Sequence, residues 1–325
     1  MGVLYVTGKD SRVGKTTICS GLIDIAKNND FKNIAFLKPI STDDDQDSFY
    51  VSNLCDVSQQ EKVTKSKSQA ISFIKKADSQ NDLVVVEGSN GLDLSVHKEI
   101  VESVDAKVIV VANFLSRRTK SIMEFSEGFG DYLTGVVVNN LTLYGNTRFK
   151  EVWVPAFENS NASLLGAIPE SRTLLSLTVG NIATILGAQF YSGKEYQHNL
   201  VENVMVGGFG MDPGQYIFNT KDKKAVIVRG DRPDVQMSAL ETPMSCFIMT
   251  DNLEPIEYVK YESEEENVPI LIVQENTLDT MKNIDKLTGF SKFDHPEKLT
   301  EAKRLIIDNL QIGAIITNFG QLSLM

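Results

Sequence analysis

Val3-Leu4-Tyr5-Val6-Thr7-Gly8-Lys9-Asp10-Ser11-Arg12-Val13-Gly14-Lys15-Thr16-Thr17 is the stretch whose reading decides the fold. An apolar, β-prone run ends at Thr7, and a turn bracketed by Gly8 and Gly14 follows. A helix then opens at Lys15, with Ile18, Leu22 and Ile25 on one face. A strand feeding a helix through such a turn aims several main-chain N–H groups at one point, where the helix N-terminus adds partial positive charge. Polyphosphate suits that point. The turn residues Gly8, Lys9, Arg12, Val13 and Gly14 and the first helical residues Lys15, Thr16 and Thr17 form the expected cradle. Within it Lys15 reaches the terminal phosphates and the Thr16 hydroxyl ligates Mg²⁺. The glycines stand one residue further apart than in the usual phosphate loop, so the Gly-Lys-Thr ending and the strand-to-helix context carry the reading.

Composition bounds the rest. A chain of 325 residues is long enough for two domains, each with its own core. With 42% hydrophobic and 23% charged residues, neither wholesale disorder nor a fibre is indicated. No apolar run reaches the length of a membrane span, and the first strand begins too near Met1 for a targeting segment. A cytoplasmic protein without a membrane partner is therefore expected. The net charge of −11 leaves no basic surplus to displace counterions, so nucleic acid is not an expected partner. It does not oppose ATP, which local amides and one or two lysines can hold. Cys19, Cys55 and Cys246 are few, scattered and odd in number, as reduced thiols are. His97, His198 and His295 show no metal-ligand spacing.

Val/Ile-rich runs recur at 34–37, 83–86, 107–112, 135–138 and 164–168, with helical patterns at 69–77, 98–104, 116–129 and 171–186. Such alternation predicts an α/β fold: a doubly wound, mostly parallel three-layer sheet with its ligand at the carboxyl ends of the strands. The pattern lapses around 187–196, where the domain junction is expected. A second α/β series follows, with strands at 201–206, 224–228, 246–250 and 268–273 and helices at 213–219, 233–240, 277–288 and 296–309. Residues 1–190 and 200–325 are the expected domains, and Glu262 to Glu266 reads as a solvated acidic turn.

Other strand ends bring groups toward the same phosphate. The run Ile34 to Leu37 ends at Lys38-Pro39, a second cation. Next come Asp43, Asp44, Asp45 and Asp47, any of which can reach Mg²⁺; Asp45 stands for the group. The strand Leu83 to Val86 runs into Glu87-Gly88, an acid placed to complete the metal shell opposite the phosphates. Lys15 and Lys38 are thus the candidate catalytic cations, and Thr16, Glu87 and Asp45 the candidate metal ligands. Asn139, ending the strand Gly135 to Val138, resembles the strand-end asparagine with which many such domains read adenine.

Together the Gly8 to Thr16 loop, Leu37-Lys38-Pro39, Glu87-Gly88, Val138-Asn139 and Leu165-Gly166-Ala167-Ile168-Pro169-Glu170 resemble the dethiobiotin synthetase family over residues 1–190. That resemblance implies dependence on ATP and Mg²⁺, with Lys15 and Lys38 on phosphate and Thr16 and Glu87 on the metal. Ser89-Asn90-Gly91 departs from the small residues the family prefers there. The segment after Pro39 also lacks the family's substrate loop. Lys9 resembles the extra lysine of partition-type dimeric ATPases, which reaches across a dimer.

In the second half, Arg229-Gly230-Asp231-Arg232-Pro233-Asp234 and its flanking strands resemble the DRTGG domain. That domain follows a dethiobiotin synthetase-like domain at the front of long bacterial phosphate acetyltransferases. No acetyltransferase part is expected after Met325. Gly207, Gly208, Gly210 and the 229–234 loop are expected either to frame a pocket for a small-molecule effector or to be turn glycines beside a salt-bridged loop. Two functions follow. One is a nucleotide-responsive regulatory module, working as a homodimer or higher homo-oligomer. The other is an ATP-dependent carboxylase or ligase related to dethiobiotin or cobyrinic acid diamide synthesis.

Overall fold

The computed structural model describes residues 2–29, 31–41, 46–58, 64–208, 211–286 and 291–316. The first half alternates as its apolar runs predict: β1 (Gly2–Thr7), α1 (Lys15–Lys27), β2 (Ile34–Leu37), α2 (Asp47–Cys55), α3 (Lys67–Asp78), β3 (Leu83–Glu87), α4 (Leu94–Val104), β4 (Lys107–Asn113), α5 (Thr119–Glu127), β5 (Leu133–Leu141) and β6 (Leu164–Pro169). The six strands form one sheet in the order β2-β3-β1-β4-β5-β6, every neighbouring pair parallel. Val3, Tyr5, Val84, Val86, Val108 and Val110 face one apolar cluster with Ile100, Val101, Ile122 and Phe125. Their alternate neighbours Leu4, Val6 and Val85 are equally buried, on the face that α1 covers. From β1 the chain moves to one side of the sheet, and from β3 it crosses to the other. The turning point therefore falls at the carboxyl ends of β1 and β3. Register pairs Val6 with Glu87 there, and the Gly88 amide donates to the Val6 carbonyl at 2.8 Å.

The second series gives β7 (Leu177–Thr178), β8 (Gln189–Ser192), β9 (Leu200–Val201), β10 (Asn203–Val206), β11 (Lys224–Arg229), β12 (Cys246–Thr250) and β13 (Ile270–Ile272). Their main sheet runs β10-β11-β12-β13-β8, parallel except for β8, while β7 and β9 form a separate antiparallel pair. Successive residues of β11 and β12 enter opposite clusters: Ala225, Ile227, Cys246 and Ile248 one, Val226, Val228, Phe247 and Met249 the other. The sheet is thus covered on both faces.

Contacts divide the chain into Met1–Ser171 with Phe293–Met325, and Arg172–Lys292. This differs from the expected 1–190 and 200–325. Helix Pro296–Asn309 leaves the second series and returns to the first unit, burying Ala302, Leu305 and Ile306. Gly21 of α1 lies against Ala302 and Ile306, and Lys303 pairs with Asp24 at 2.7 Å. Beyond the helix, Leu310 bridges Gly166 and the Gln311 amide donates to Leu165 at 2.8 Å. Gly166, at φ +145°, needs to be glycine because a Cβ would run into the Asn309 carbonyl. The amphipathic pattern of 296–309 shows that it covers something apolar, but not which sheet.

Three local expectations change. The expected 171–186 helix splits into Arg172–Leu175 and Val179–Leu186 around β7, where the Thr178 side chain caps the second piece through the Asn181 amide. Residues 189–192, read as part of a polar junction, form the edge strand β8, from which Phe190 and Tyr191 pack on opposite apolar clusters. The acidic stretch up to Glu265 is helical, Glu257–Glu265, because Val259 and Ser263 share one buried face.

Candidate functional site

The loop between β1 and α1 presents an uncapped helix. Gly14 is its N-cap, at φ +92°, with no side-chain cap and no acid in the first turn. The Ile18 amide is taken by the Gly14 carbonyl at 3.1 Å. The amides of Lys15, Thr16 and Thr17 precede the first intrahelical bond, so an anion can receive them. Gly14 is required twice over, by its left-handed conformation and because a Cβ would strike the Asn139 amide nitrogen. That nitrogen donates to the Val13 carbonyl at 2.9 Å, so the end of β5 braces the loop from below. Val13 is buried and Arg12 exposed at φ +54°. Gly8 is buried and Thr17 half-buried. Lys9 is exposed and donates to the Ser121 carbonyl at 3.3 Å and to the Ser121 hydroxyl, both on α5.

Around the loop stand charges that globular proteins rarely bury. Lys15, Lys38 and Glu87 are only 4%, 7% and 3% exposed. Lys38 Nζ lies 3.4 Å from Glu87 Oε1 and pairs more closely with Asp47 Oδ2, while the Thr16 hydroxyl lies 3.5 Å from the same Asp47 oxygen. Lys15 donates instead to a neutral acceptor, Asn90 Oδ1. Burial raises the Glu87 carboxyl above the usual carboxylate range; Lys38 and Lys15 oppose this and Asp47 adds to it. Burial likewise pulls Lys15 down, against the attraction of Glu87.

The donor set fits a hard cation bound with phosphate. Glu87 Oε2 and Thr7 Oγ1 are buried with no hydrogen-bond partner, a deficit of the kind that costs about 1–3 kcal/mol per group. Mg²⁺ takes one or two carboxylates and a hydroxyl beside phosphate oxygens and water; Glu87, Thr16 and Asp47 supply that set. Of the acidic run, Asp47 reaches this point, whereas Asp43, Asp44 and Asp45 lie outside the described residues. Sequence reasoning missed Asn90, which stood out only as a departure from small residues. It also missed Thr7 and the pair Tyr5–His97. Tyr5 O–H and His97 Nδ1 meet at 2.8 Å behind Gly88, and burial pulls His97 down to about 4, leaving it neutral.

At the strand ends of the second unit the charges are self-satisfied. Arg229 grips Asp231 through two bonds of 2.9 and 2.8 Å, Arg232 grips Asp234 likewise, and Asp251 lies 3.6 Å from Arg229. Buried Gln236 holds the turn by donating to the Arg229 and Gly230 carbonyls at 2.7 and 3.1 Å. Gly207 packs on Val235 and Val228, and Gly208 has open space beside it; Gly210 lies outside the described residues. Among the described residues no helix is long and apolar enough to cross a membrane.

A parallel sheet whose first strand ends in a glycine-bracketed loop, with buried lysines and an acid converging on it, defines the class of P-loop α/β domains. The chain belongs to the AAA domain family, which includes dethiobiotin synthetase and whose model matches residues 3–176; a DRTGG domain follows at residues 181–287. The phosphate acetyltransferase of Nitratidesulfovibrio vulgaris is 24% identical over 368 residues, covering 97% of this chain and 52% of that protein. The chain thus spans about half the length of this curated relative. Two solved structures show partial likeness. MinD of Pyrococcus horikoshii with Mg-ADP is 15% identical, covering 53% of this chain and 83% of that one at a TM-score of 0.38. The CBS and DRTGG regulatory region of Clostridium perfringens pyrophosphatase with diadenosine tetraphosphate is 14% identical, covering 45% and 71% at 0.32.

Proposed function

We propose that this chain is a nucleotide-responsive regulatory module of the phosphate acetyltransferase kind, in which Mg-ATP on the first unit alters the DRTGG unit within a homo-oligomer. The observation that carries the reading is the burial of Lys15, Lys38 and Glu87 about uncapped amides, with Glu87 Oε2 and Thr7 Oγ1 lacking hydrogen-bond partners. In it Lys15 and Lys38 neutralise the terminal phosphates, Thr16, Glu87 and Asp47 hold Mg²⁺, and the 8–17 amides cradle the β-phosphate. The ion supplies charge neutralisation between phosphates; the protein groups fix its position. Asn139, whose amide nitrogen is held by the Val13 carbonyl, braces the loop in this reading, and contact with the base is its proposed second role.

The test is hydrogen exchange across the full chain with and without Mg-ATP, alongside sedimentation. Protection changes within residues 172–292, with a nucleotide-dependent change in assembly, are expected. Protection confined to the 8–17 loop and the ends of β2 and β3, with assembly unchanged, contradicts regulation. Steady ATP turnover stimulated by a diamine or carboxylate substrate favours the ligase reading instead.

A further inference from the structure

The four buried or half-buried charges of the site do not pair evenly. Lys38 is shared by Glu87 and Asp47, whereas among the described residues no carboxylate stands within ion-pair distance of Lys15. The oxygen that Lys15 meets is the amide oxygen of Asn90, one turn past the end of β3. A lysine ammonium in this loop reaches the β- and γ-phosphates of a bound nucleotide, and here the oxygen it meets is Asn90 Oδ1. Ser89, immediately before, is buried and anchored, its hydroxyl donating to the Ile40 carbonyl. Asn90 itself is exposed, so its side chain can swing into solvent without disturbing the strand end.

We infer that Asn90 is a positioning residue that holds Lys15 in the nucleotide-free protein and yields it to the terminal phosphate of a triphosphate, making the site sensitive to phosphate number. This deepens the nucleotide reading above and rests on it. The Asn90 amide competes with the γ-phosphate for Lys15, and release of that bond is part of the binding equilibrium. A diphosphate offers Lys15 a weaker and more distant claim, so the Asn90 contact persists beside it. Movement of Asn90 then carries phosphate number into the segment from Ser89 to the start of α4.

The experiment is calorimetric titration of the full chain with Mg-ATP and Mg-ADP, for wild type, Asn90→Ala and Asn90→Asp. Removing the competing acceptor is expected to tighten Mg-ATP by about fivefold while Mg-ADP stays within about twofold. Asn90→Asp places a carboxylate on Lys15 and beside the phosphates, and is expected to weaken Mg-ATP by about tenfold or more. Because Asn90 is exposed, both variants are expected to unfold at the wild-type temperature. Weaker Mg-ATP binding by Asn90→Ala, or equal shifts for the two nucleotides, overturns the inference while leaving the nucleotide site intact. Absence of ATP binding by wild type overturns the nucleotide reading and this inference with it.

Discussion

The carboxyl ends of the parallel strands in the two sheets carry similar residues and treat them in opposite ways. At the ends of β1, β2 and β3, two lysines and a glutamate are buried, and two polar oxygens have no partner. Beyond β11 and β12, arginines and aspartates are about half exposed and grip one another. A buried charge without full compensation is tolerated where something else completes it, whereas an exposed bidentate pair is already complete. Each region also has a buried polar oxygen without a partner, Gln236 Oε1 in the second, so what separates them is that the first buries its charged side chains and the second leaves them exposed in pairs. Both regions read alike along the sequence: a strand, a glycine, charged residues and a helix.

The largest effect expected from breaking this comparison lies in the frame of the first unit. Gly166→Ala sets a Cβ against the Asn309 carbonyl in a left-handed conformation. It is expected to cost about 3 kcal/mol or more in denaturant unfolding, with exposure of helix Pro296–Asn309 to proteolysis. Wild-type stability would show that this helix does not complete the nucleotide unit.

Next comes Glu87→Gln. Its folded-state pKa lies above the unfolded value, so the folded chain holds that proton more tightly. Stability from this group is present at acid pH and lost as pH rises through its folded pKa. At neutral pH the ionised group is a cost in the empty protein. Glu87→Gln is therefore expected to raise the melting temperature at pH 7 by roughly 2–4 °C, about 1 kcal/mol, and the gain should shrink toward pH 4. It should also weaken ATP binding about tenfold with Mg²⁺ and little in its absence. A loss of stability at pH 7 would mean that the Lys38 pair outweighs desolvation.

The smallest effect sharpens the contrast from the other side. Arg229→Ala, which removes an exposed ion pair, should leave both the melting temperature and Mg-ATP binding indistinguishable from wild type. A clear change in either would place a working site at those strand ends.

Legibility in the sequence followed the range of each signal. The loop, Lys15, Thr16, Lys38 and Glu87 were readable because a strand-to-helix turn and a strand-end acid are local patterns, and parallel pairing brings them together. Asp47 stayed unresolved within its acidic run, since any of four carboxylates satisfies the same chemistry; it is α2, opening at Asp47, that turns this carboxylate toward Thr16 and Lys38. Asn90 was invisible as a partner of Lys15 because an exposed asparagine in a turn reads as turn chemistry. The return of helix Pro296–Asn309 was hidden for a related reason: periodicity reports a buried face, never its neighbour. Gly166 did carry that information, but as a close approach whose other side lies far along the chain.

The most direct measurement is calorimetric titration of Mg-ATP into wild type and into Lys15→Ala. The account predicts a saturable heat for wild type and a loss of at least about a hundredfold in affinity for the variant, at unchanged fold by circular dichroism. Equal affinities, or no heat with either protein, would contradict the claim that the buried charges at the ends of β1, β2 and β3 await a nucleotide.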